Sequence, residues 1–198
     1  MNQLRIIFRT LWKHKLFTII NILSLTFCLL SVIVMLLLVS KLVTFDGFHK
    51  QGDRLYGLQE GDDKNPLAPG TVFPIAERLH ADFPEVDRYT RTLTWDNYLL
   101  GYREGDWSVN PDFVDPDFLH MFTFPLRYGD AAKALTDVNS IVLSDELALR
   151  VFGDINPVGK EIKWNDSLRL TVTGVLEPVP GASSLNFAAL MPMQWLYR

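Results

Sequence analysis

An uninterrupted run of 25 uncharged residues, from Leu16 to Ser40, is the feature that most limits what this chain can form. As an α-helix the run would measure about 37 Å, which exceeds the roughly 30 Å of a bilayer's hydrocarbon core. Seventeen of its residues are Leu, Ile, Val or Phe, so insertion into lipid is favoured by roughly 5–10 kcal/mol. We therefore predict a transmembrane helix over residues 16–43.

A cleaved signal peptide is the competing interpretation of the same run. The apolar region of a signal peptide spans about 7–15 residues and ends at a small-x-small cleavage site. Here the run is longer, and Val39, Ser40, Lys41 and Leu42 form no convincing site. The sequence therefore favours an uncleaved membrane anchor.

The charged residues divide at Lys41. All 23 acidic residues follow it, whereas the first 15 residues carry only cations, which are Arg5, Arg9, Lys13 and Lys15. By the positive-inside rule, residues 1–15 stay in the cytoplasm and residues 44–198 form a domain outside it. Residues 42–198 have a net charge of -9, which argues against nucleic acid as a partner because phosphate binding needs a basic face.

Residues 1–15 also show helical periodicity. The apolar positions Leu4, Ile7, Phe8, Leu11 and Trp12 lie opposite the cations. One interpretation is a basic amphipathic helix on the inner leaflet, with contacts to membrane lipid from Arg5, Arg9, Lys13 and Lys15. The other is an ordinary basic flank of a membrane helix, and the sequence leaves both open.

Four small or polar residues lie nearly on one face of the predicted membrane helix: Asn21, Ser24, Cys28 and Ser31. Such residues let membrane helices approach closely and form hydrogen bonds. A scatter of tolerated residues in a lone anchor is the alternative. We favour a packing face, because an Asn side chain without a partner in lipid is costly.

The residues after the membrane helix predict a mixed α+β domain. We expect the helix to continue through Phe48 and His49 toward Gly52, followed by strands over residues 54–58, 89–93, 98–102 and 107–109. A helix with Ile75, Ala76, Leu79 and Phe83 on one face should stop at Pro84. The elements lack the regular alternation of a parallel α/β sheet.

Further along, a short helix is expected over residues 115–122. Ser144 is a favourable N-cap for a helix that ends at Phe152 with Gly153 as its stop. The alternation of Leu168, Leu170 and Val172 predicts a strand with one buried face, interrupted at Gly174. The domain as a whole is thus predicted to be α+β.

No motif in the sequence indicates catalysis, a cofactor or a metal. The stretch from Gly153 to Lys160 resembles a phosphate loop, but its spacing is one residue too long, and Glu161 replaces the required Ser or Thr. Asp112, Asp115 and Asp117 lack the glycine of a calcium loop, so we interpret them as a solvated turn. The four histidines are isolated, and Cys28 is the only cysteine. We predict that the chain is not an enzyme.

Three ordered stretches resemble bacterial ABC-transporter permeases that carry a MacB-like periplasmic core domain. The first runs from Trp12 to Lys15, through Asn21 to Leu23 and Phe45, Asp46, Phe48 and His49, to Asp53, Arg54, Leu55 and Tyr56; the second is Phe83 to Val86. The third comprises Val114 to Phe118, Phe122, Phe124 to Leu126, Gly129, Ser144, Ala148, Phe152 to Asp154, Pro157, Gly159, Lys160, Val172, Gly174 and Val175.

This resemblance implies a permease subunit in a bacterial inner membrane, with the main domain in the periplasm or outside the cell. It implies a dimer with the same or another permease, and a cytoplasmic ABC ATPase whose ATP hydrolysis moves the outer domain for export or mechanotransmission. No catalytic residue or cofactor is implied for the permease itself.

Two departures from the family pattern affect these expectations. Ser24 and Cys28 stand where the family usually has glycines, which would alter helix packing. The resemblance also implies that the remaining outer domain and later membrane helices follow Arg198 in a complete permease, so residues 1–198 alone are not expected to transport. The alternative function is a stand-alone, single-pass anchored module that binds partners outside the cytoplasm.

Overall fold

The computed structural model describes residues 15–43, 46–58, 74–165, 168–178 and 183–197. The chain forms two compact units, Met1–Phe45 and Asp46–Arg198. The helices are α1 (Lys15–Val43), α2 (Pro74–Asp82), α3 (Phe118–Met121) and α4 (Asp145–Phe152). The strands are β1 (Thr92–Thr94), β2 (Tyr98–Tyr102), β3 (Gly105–Val109), β4 (Pro111–Val114), β5 (Leu126–Gly129), β6 (Ser140–Leu143), β7 (Glu161–Trp164), β8 (Leu168–Leu176) and β9 (Ala189–Pro192).

The first unit contains α1, a helix long and apolar enough to cross a membrane. Its hydroxyl groups are satisfied within the helix: Ser24 Oγ donates to the carbonyl of Ile20 at 2.8 Å, and Ser31 Oγ donates to that of Phe27 at 2.9 Å. These bonds reduce the cost of placing polar side chains in lipid. The helix covers the residues of the predicted membrane segment. Of the predicted amphipathic segment, residues 1–15, all but Lys15 lie outside the described part of the chain.

The second unit is a mixed sheet in the order β1-β4-β9-β6-β8-β7-β2-β3, with β5 also paired to β8. The β4–β9 and β6–β8 pairs are parallel, and the other pairs are antiparallel. The helices and strands follow one another without a regular βαβ repeat. The α+β prediction is confirmed.

Apolar side chains pack on both faces of the central strands. In β6, Ile141 and Leu143 join the core covered by α4, while Val142 joins the core covered by α3. Ser144 caps α4 as predicted, since its Oγ accepts a hydrogen bond from the backbone N–H of Leu147 at 3.2 Å. Gly153 ends the helix with a φ of 71°.

The segment after α1 differs from the prediction. Asp46 has a φ of 56°, which no α-helix contains, and residues 46–48 form turns. The expected strand over residues 54–58 is also wrong, because a 3₁₀-helix occupies Gly52–Arg54 and residues 55–58 pair with no described strand. Tyr56 there is 86% exposed. The local pattern was typical of a strand, but a strand forms only against a hydrogen-bonded neighbour.

The prediction of a solvated turn is wrong for Asp112 and Asp115, although residues 116–117 form a turn in which Asp117 is nearly half exposed. Asp112 lies on β4, and Asp115 is only 8% exposed. Two other elements have different bounds from those predicted. The helix expected over residues 115–122 is limited to α3, and the strand expected over residues 89–93 is replaced by β1. Gly174 does not end β8, although the register with β6 shifts between Ile141 and Val142.

Candidate functional site

Residues 46–50, which we call the junction segment, begin three positions after the described end of α1 and belong to the second unit. The segment folds back on itself. The backbone N–H of His49 donates to the carbonyl of Asp46 at 3.2 Å, and the N–H of Gly52 donates to that of His49 at 3.1 Å. The side chains of Asp46 and His49 contact two segments that are far apart in the sequence, residues 183–184 and Thr123.

Asp46 attaches the junction segment to the loop that precedes β9. Its Oδ1 accepts from the backbone N–H of Ser184 and from Ser183 Oγ, both at 2.9 Å, and its Oδ2 accepts from Ser184 Oγ. Burial opposes ionisation of this carboxyl, but the hydrogen bonds outweigh burial and hold its pKa below the ordinary value. Because water reaches this partly exposed carboxyl, each of these bonds contributes about 0.5–1.5 kcal/mol.

His49 and Lys50 attach the same segment to the residues that follow α3. The backbone N–H of Thr123 donates to His49 Nδ1 at 3.2 Å. In return, Thr123 Oγ1 accepts from the backbone N–H of Lys50 at 3.1 Å. Thr123 thus acts as donor and acceptor to two consecutive residues, and this reciprocal pair fixes the register of the junction segment on the domain.

Aromatic packing completes the attachment. Phe48 contacts the ring of Phe124 edge-on, with centroids 5.7 Å apart, and packs against the apolar core beside α3. Phe124 in turn stacks on Phe118 at 5.9 Å and meets Phe187 at 4.9 Å. The junction segment is therefore held by a carboxylate, an imidazole and a phenyl ring on three different neighbours.

A second polar cluster surrounds Arg91, just before β1. Its backbone N–H and Nε donate to Asp115 Oδ2 at 2.7 and 2.9 Å, Nη2 donates to Oδ1 at 2.7 Å, and Nη1 donates to Glu77 Oε1 at 2.8 Å. The bonds to Asp115 raise the pKa of Arg91 despite its partial burial. The cluster lines an open cavity of about 400 Å³ that Tyr89 and Tyr197 also border. Since Asp115 and Glu77 already bind the guanidinium, we interpret the cluster as structural.

The site residues predicted from the sequence fall on α1 or outside the description. Asn21, Ser24, Cys28 and Ser31 are exposed on α1, as is nearly every other described residue of this helix, so their role as a packing face stays a prediction. Lys15 is the first described residue of α1. The other three predicted lipid contacts, Arg5, Arg9 and Lys13, lie outside the described residues.

The junction contacts were not predicted as a site. The family resemblance includes Asp46 and His49 but assigns them no role, and no sequence pattern singles out Thr123, Ser183 or Ser184. Asp46 and Ser183 are separated by 137 positions in the chain, so only folding brings them together. Within the described residues, no group of three or more His, Cys, Asp or Glu side chains is placed to hold a metal ion.

Comparison with known protein families decides the identity of this fold. The sequence profile of the MacB-like periplasmic core domain matches residues 18–198. The chain belongs to this family. The MacB-like domain occurs in ABC-transporter permeases, which are transporter components rather than classical enzymes. No curated protein matches the chain.

Three solved structures are similar to this chain. A domain described as a permease from Porphyromonas gingivalis is 27% identical, with a TM-score of 0.54 over 61% of this chain and 52% of that one. The periplasmic region of MacB from Actinobacillus actinomycetemcomitans is 18% identical, with a TM-score of 0.43 over 54% and 48% of the two chains. The extracellular domain of the ABC-type transporter YknZ from Gram-positive bacteria is 16% identical, with a TM-score of 0.42 over 54% and 55%.

These overlaps show that the present chain spans about half the length of the solved chains that it matches. Within the MacB-like domain described here, the junction segment is the part that follows the apolar helix directly. We therefore take the junction segment as the candidate functional site.

Proposed function

We propose that this chain is the membrane-anchored part of an ABC-transporter permease subunit whose outer domain moves when a partner ATPase hydrolyses ATP. The observation that carries the proposal is the attachment of the junction segment. Asp46 is bonded to residues 183–184 and His49 to Thr123, immediately after a helix able to cross a membrane. Family membership supports the permease assignment.

The attachment suits the transmission of movement. Two residues separate Val43 from Asp46. A chain of this length allows at most about 11 Å between the Cα atoms of Val43 and Asp46. A shift of the membrane helix beyond that reach pulls on Asp46 and His49 together. Because these residues contact segments far apart in sequence, a force on the junction segment is distributed over several parts of the domain. It does not act on a single edge strand.

The topology follows from the charge distribution. In this proposal the basic N-terminus lies in the cytoplasm, where Arg5, Arg9, Lys13 and Lys15 contact anionic lipid, and the acidic domain lies outside. The proposed membrane is the bacterial inner membrane. Export of a substrate and mechanotransmission both use this arrangement.

The proposed partners are a cytoplasmic ABC ATPase and a second permease, identical or related. Asn21, Ser24, Cys28 and Ser31 would face a neighbouring membrane helix in that assembly. The ATPase would bind parts of the permease other than residues 1–198.

Capture of the native protein from its own membranes tests the assignment. An antibody against the outer domain should recover a polypeptide together with an ATPase subunit, both identified by mass spectrometry. Recovery of a 22.7 kDa polypeptide with no ATPase, under conditions that preserve known transporter complexes, would overturn the proposal. That result would favour the stand-alone anchored module.

A variant tests the role of the junction segment within the captured complex. Asp46→Ala removes the bonds to Ser183 and Ser184 and should uncouple ATP hydrolysis from movement of a dye attached at Ser108→Cys on β3, in a Cys28→Ser background. Asp53→Ala is the matched control, since Asp53 is exposed in the neighbouring 3₁₀-helix. Equal dye responses in the two variants would contradict the proposed coupling.

A further inference from the structure

The hydrogen bond between His49 and Thr123 fixes the protonation state of the imidazole. Nδ1 accepts the backbone N–H of Thr123, so Nδ1 carries no proton and the neutral ring carries its proton on Nε2. Nε2 is buried and has no hydrogen-bond partner in the described part of the domain. The attachment therefore requires the neutral ring in one particular tautomer.

The surroundings of the ring disfavour a positive charge. His49 is 8% exposed, and three aromatic rings enclose it, with centroid distances of 4.1 Å to Phe48, 5.3 Å to Phe122 and 5.1 Å to Phe124. Residues 122–124 contain no titratable side chain. In the junction segment, the carboxylate of Asp46 is the charged group that acts on His49.

Burial lowers the pKa of His49 below its ordinary value of 6.5, and the nearby carboxylate of Asp46 offsets part of this effect. The attached ring thus takes up a proton less readily than a detached, solvated ring. By linkage, acid favours detachment. The attachment is complete above about pH 6.5 and weakens as the pH falls below that value.

A second proton would enter the ring at Nδ1. Nδ1 would then become a donor that faces the donating N–H of Thr123, and the bond between them would be lost. Lys50 would also lose its fixed position, because its bond to Thr123 Oγ1 depends on the same register. Asp46 remains bonded to Ser183 and Ser184 through acceptor oxygens, so detachment begins on the His49 side.

We propose that His49 is an acid-sensitive latch: its protonation releases the junction segment from residues 122–124 and loosens the outer domain from the segment that follows the membrane helix. The release itself stands on the geometry of His49, Thr123 and the three phenyl rings. Its effect on transport rests on the coupling role proposed above. In an acidic outer compartment, the latch would lower the movement passed to the outer domain.

Hydrogen exchange tests the latch on the full chain in lipid nanodiscs. Protection of the Thr123 amide, corrected for the intrinsic pH dependence of exchange, is compared at about pH 8 and about pH 5, a range in which His titrates. We expect a severalfold loss of protection at the lower pH. The amide of Thr171, which donates to the carbonyl of Asn139 at 2.8 Å, serves as an internal control and should keep its protection.

A matched variant separates titration of His49 from other effects of acid. In His49→Asn, the side-chain oxygen occupies the place of Nδ1 and accepts the Thr123 N–H without titrating. Its protection should be the same at both pH values. The proposal is overturned if wild-type Thr123 keeps its protection at about pH 5, if Thr171 loses protection in parallel, or if His49→Asn responds as strongly as wild type.

Even if His49→Asn does not fold, the wild-type comparison of Thr123 and Thr171 amide protection at the two pH values tests the proposed release. Failure of the latch also differs from failure of the proposed function. A captured complex that lacks an ATPase leaves the exchange result unaffected, whereas pH-independent protection of Thr123 leaves the permease assignment unaffected.

Discussion

Arg91 meets Asp115 through two parallel hydrogen bonds, Nε to Oδ2 at 2.9 Å and Nη2 to Oδ1 at 2.7 Å, at a site where both side chains are mostly buried. Planar, bidentate pairs of this kind are the strongest ion pairs that proteins form. Removal of Asp115 leaves a mostly buried guanidinium paired with Glu77, whose side chain is more than half exposed and compensates the charge less well.

Asp115→Ala should therefore destabilise the domain by about 3 kcal/mol or more. Asp117→Ala is the matched control, because Asp117 pairs with Arg88 at 3.1 Å where both side chains are nearly half exposed, and it should cost less than about 1 kcal/mol. Urea unfolding of the full chain in detergent, followed by tryptophan fluorescence, measures both. Equal losses would show that the buried pair has no special role.

Gly129 and Gly153 both have positive φ values, of 102° and 71°, but their surroundings differ. A Cβ at Gly129 would lie 2.4 Å from the backbone oxygen of Thr173, whereas a Cβ at Gly153 would meet nothing within 4 Å. Gly153 has a ψ of -154°, a backbone conformation that is essentially restricted to glycine, so Gly153→Ala should cost about 1–3 kcal/mol from backbone strain alone. Gly129→Ala should cost clearly more, because β5 must move away from β8, and thermal unfolding of the two variants should rank them in this order.

Asp112 predicts a pH effect. Burial raises its pKa above the ordinary value of 3.8, although a hydrogen bond from the Thr94 hydroxyl opposes the shift. The folded state then binds this proton more tightly than the unfolded state, so the contribution of Asp112 to stability falls as the pH rises through the raised value. Asp112→Asn keeps an acceptor for Thr94 and should stabilise the domain at neutral pH.

The advantage of Asp112→Asn should vanish below about pH 3.8, where the wild-type side chain is also neutral in both states. Unfolding curves at neutral and acidic pH measure the difference. Glu104→Gln, at an exposed turn, is the control and should stay within about 0.5 kcal/mol of wild type. A gain that persists unchanged at acidic pH would contradict the electrostatic origin.

Asn21 should matter more than Ser24 for association of α1 with another membrane helix. The Ser24 hydroxyl is already bonded to the carbonyl of Ile20, so Ser24→Ala leaves no polar group unsatisfied. Asn21→Leu removes a carboxamide able to bond across helices and should weaken association by about 1–2 kcal/mol. Energy transfer between labelled full chains in bilayers measures this, and equal effects of the two substitutions would argue against Asn21 as the contact.

The sequence predicted correctly those helices and strands that are determined by residues close to them in the chain. The uncharged run fixed α1, Pro84 bounded α2, and Ser144 with Gly153 set both ends of α4. The alternation of β8 was visible because one face of its first half is exposed. These features depend on neighbours only a few residues away.

Elements that depend on distant partners were missed. β6 and β9 are buried at every residue, so neither shows the alternation that identifies a strand. Asp115 was interpreted as solvated because its partner Arg91 lies 24 positions away. For the same reason the attachment of Asp46 to Ser183 could not be derived from the sequence, although the family resemblance did include Asp46.

The place of β9 in the sheet determines how the domain can be assembled. Among the described strands, β4 pairs with β1 and β9 only, so without residues 189–192 the sheet would exist as two pieces, β1–β4 and the group from β6 to β3. Each piece would present an open strand edge. Synthesis must therefore pass through a stage in which nearly all of residues 46–188 have emerged but cannot close, and during that stage the nascent chain needs protection from aggregation.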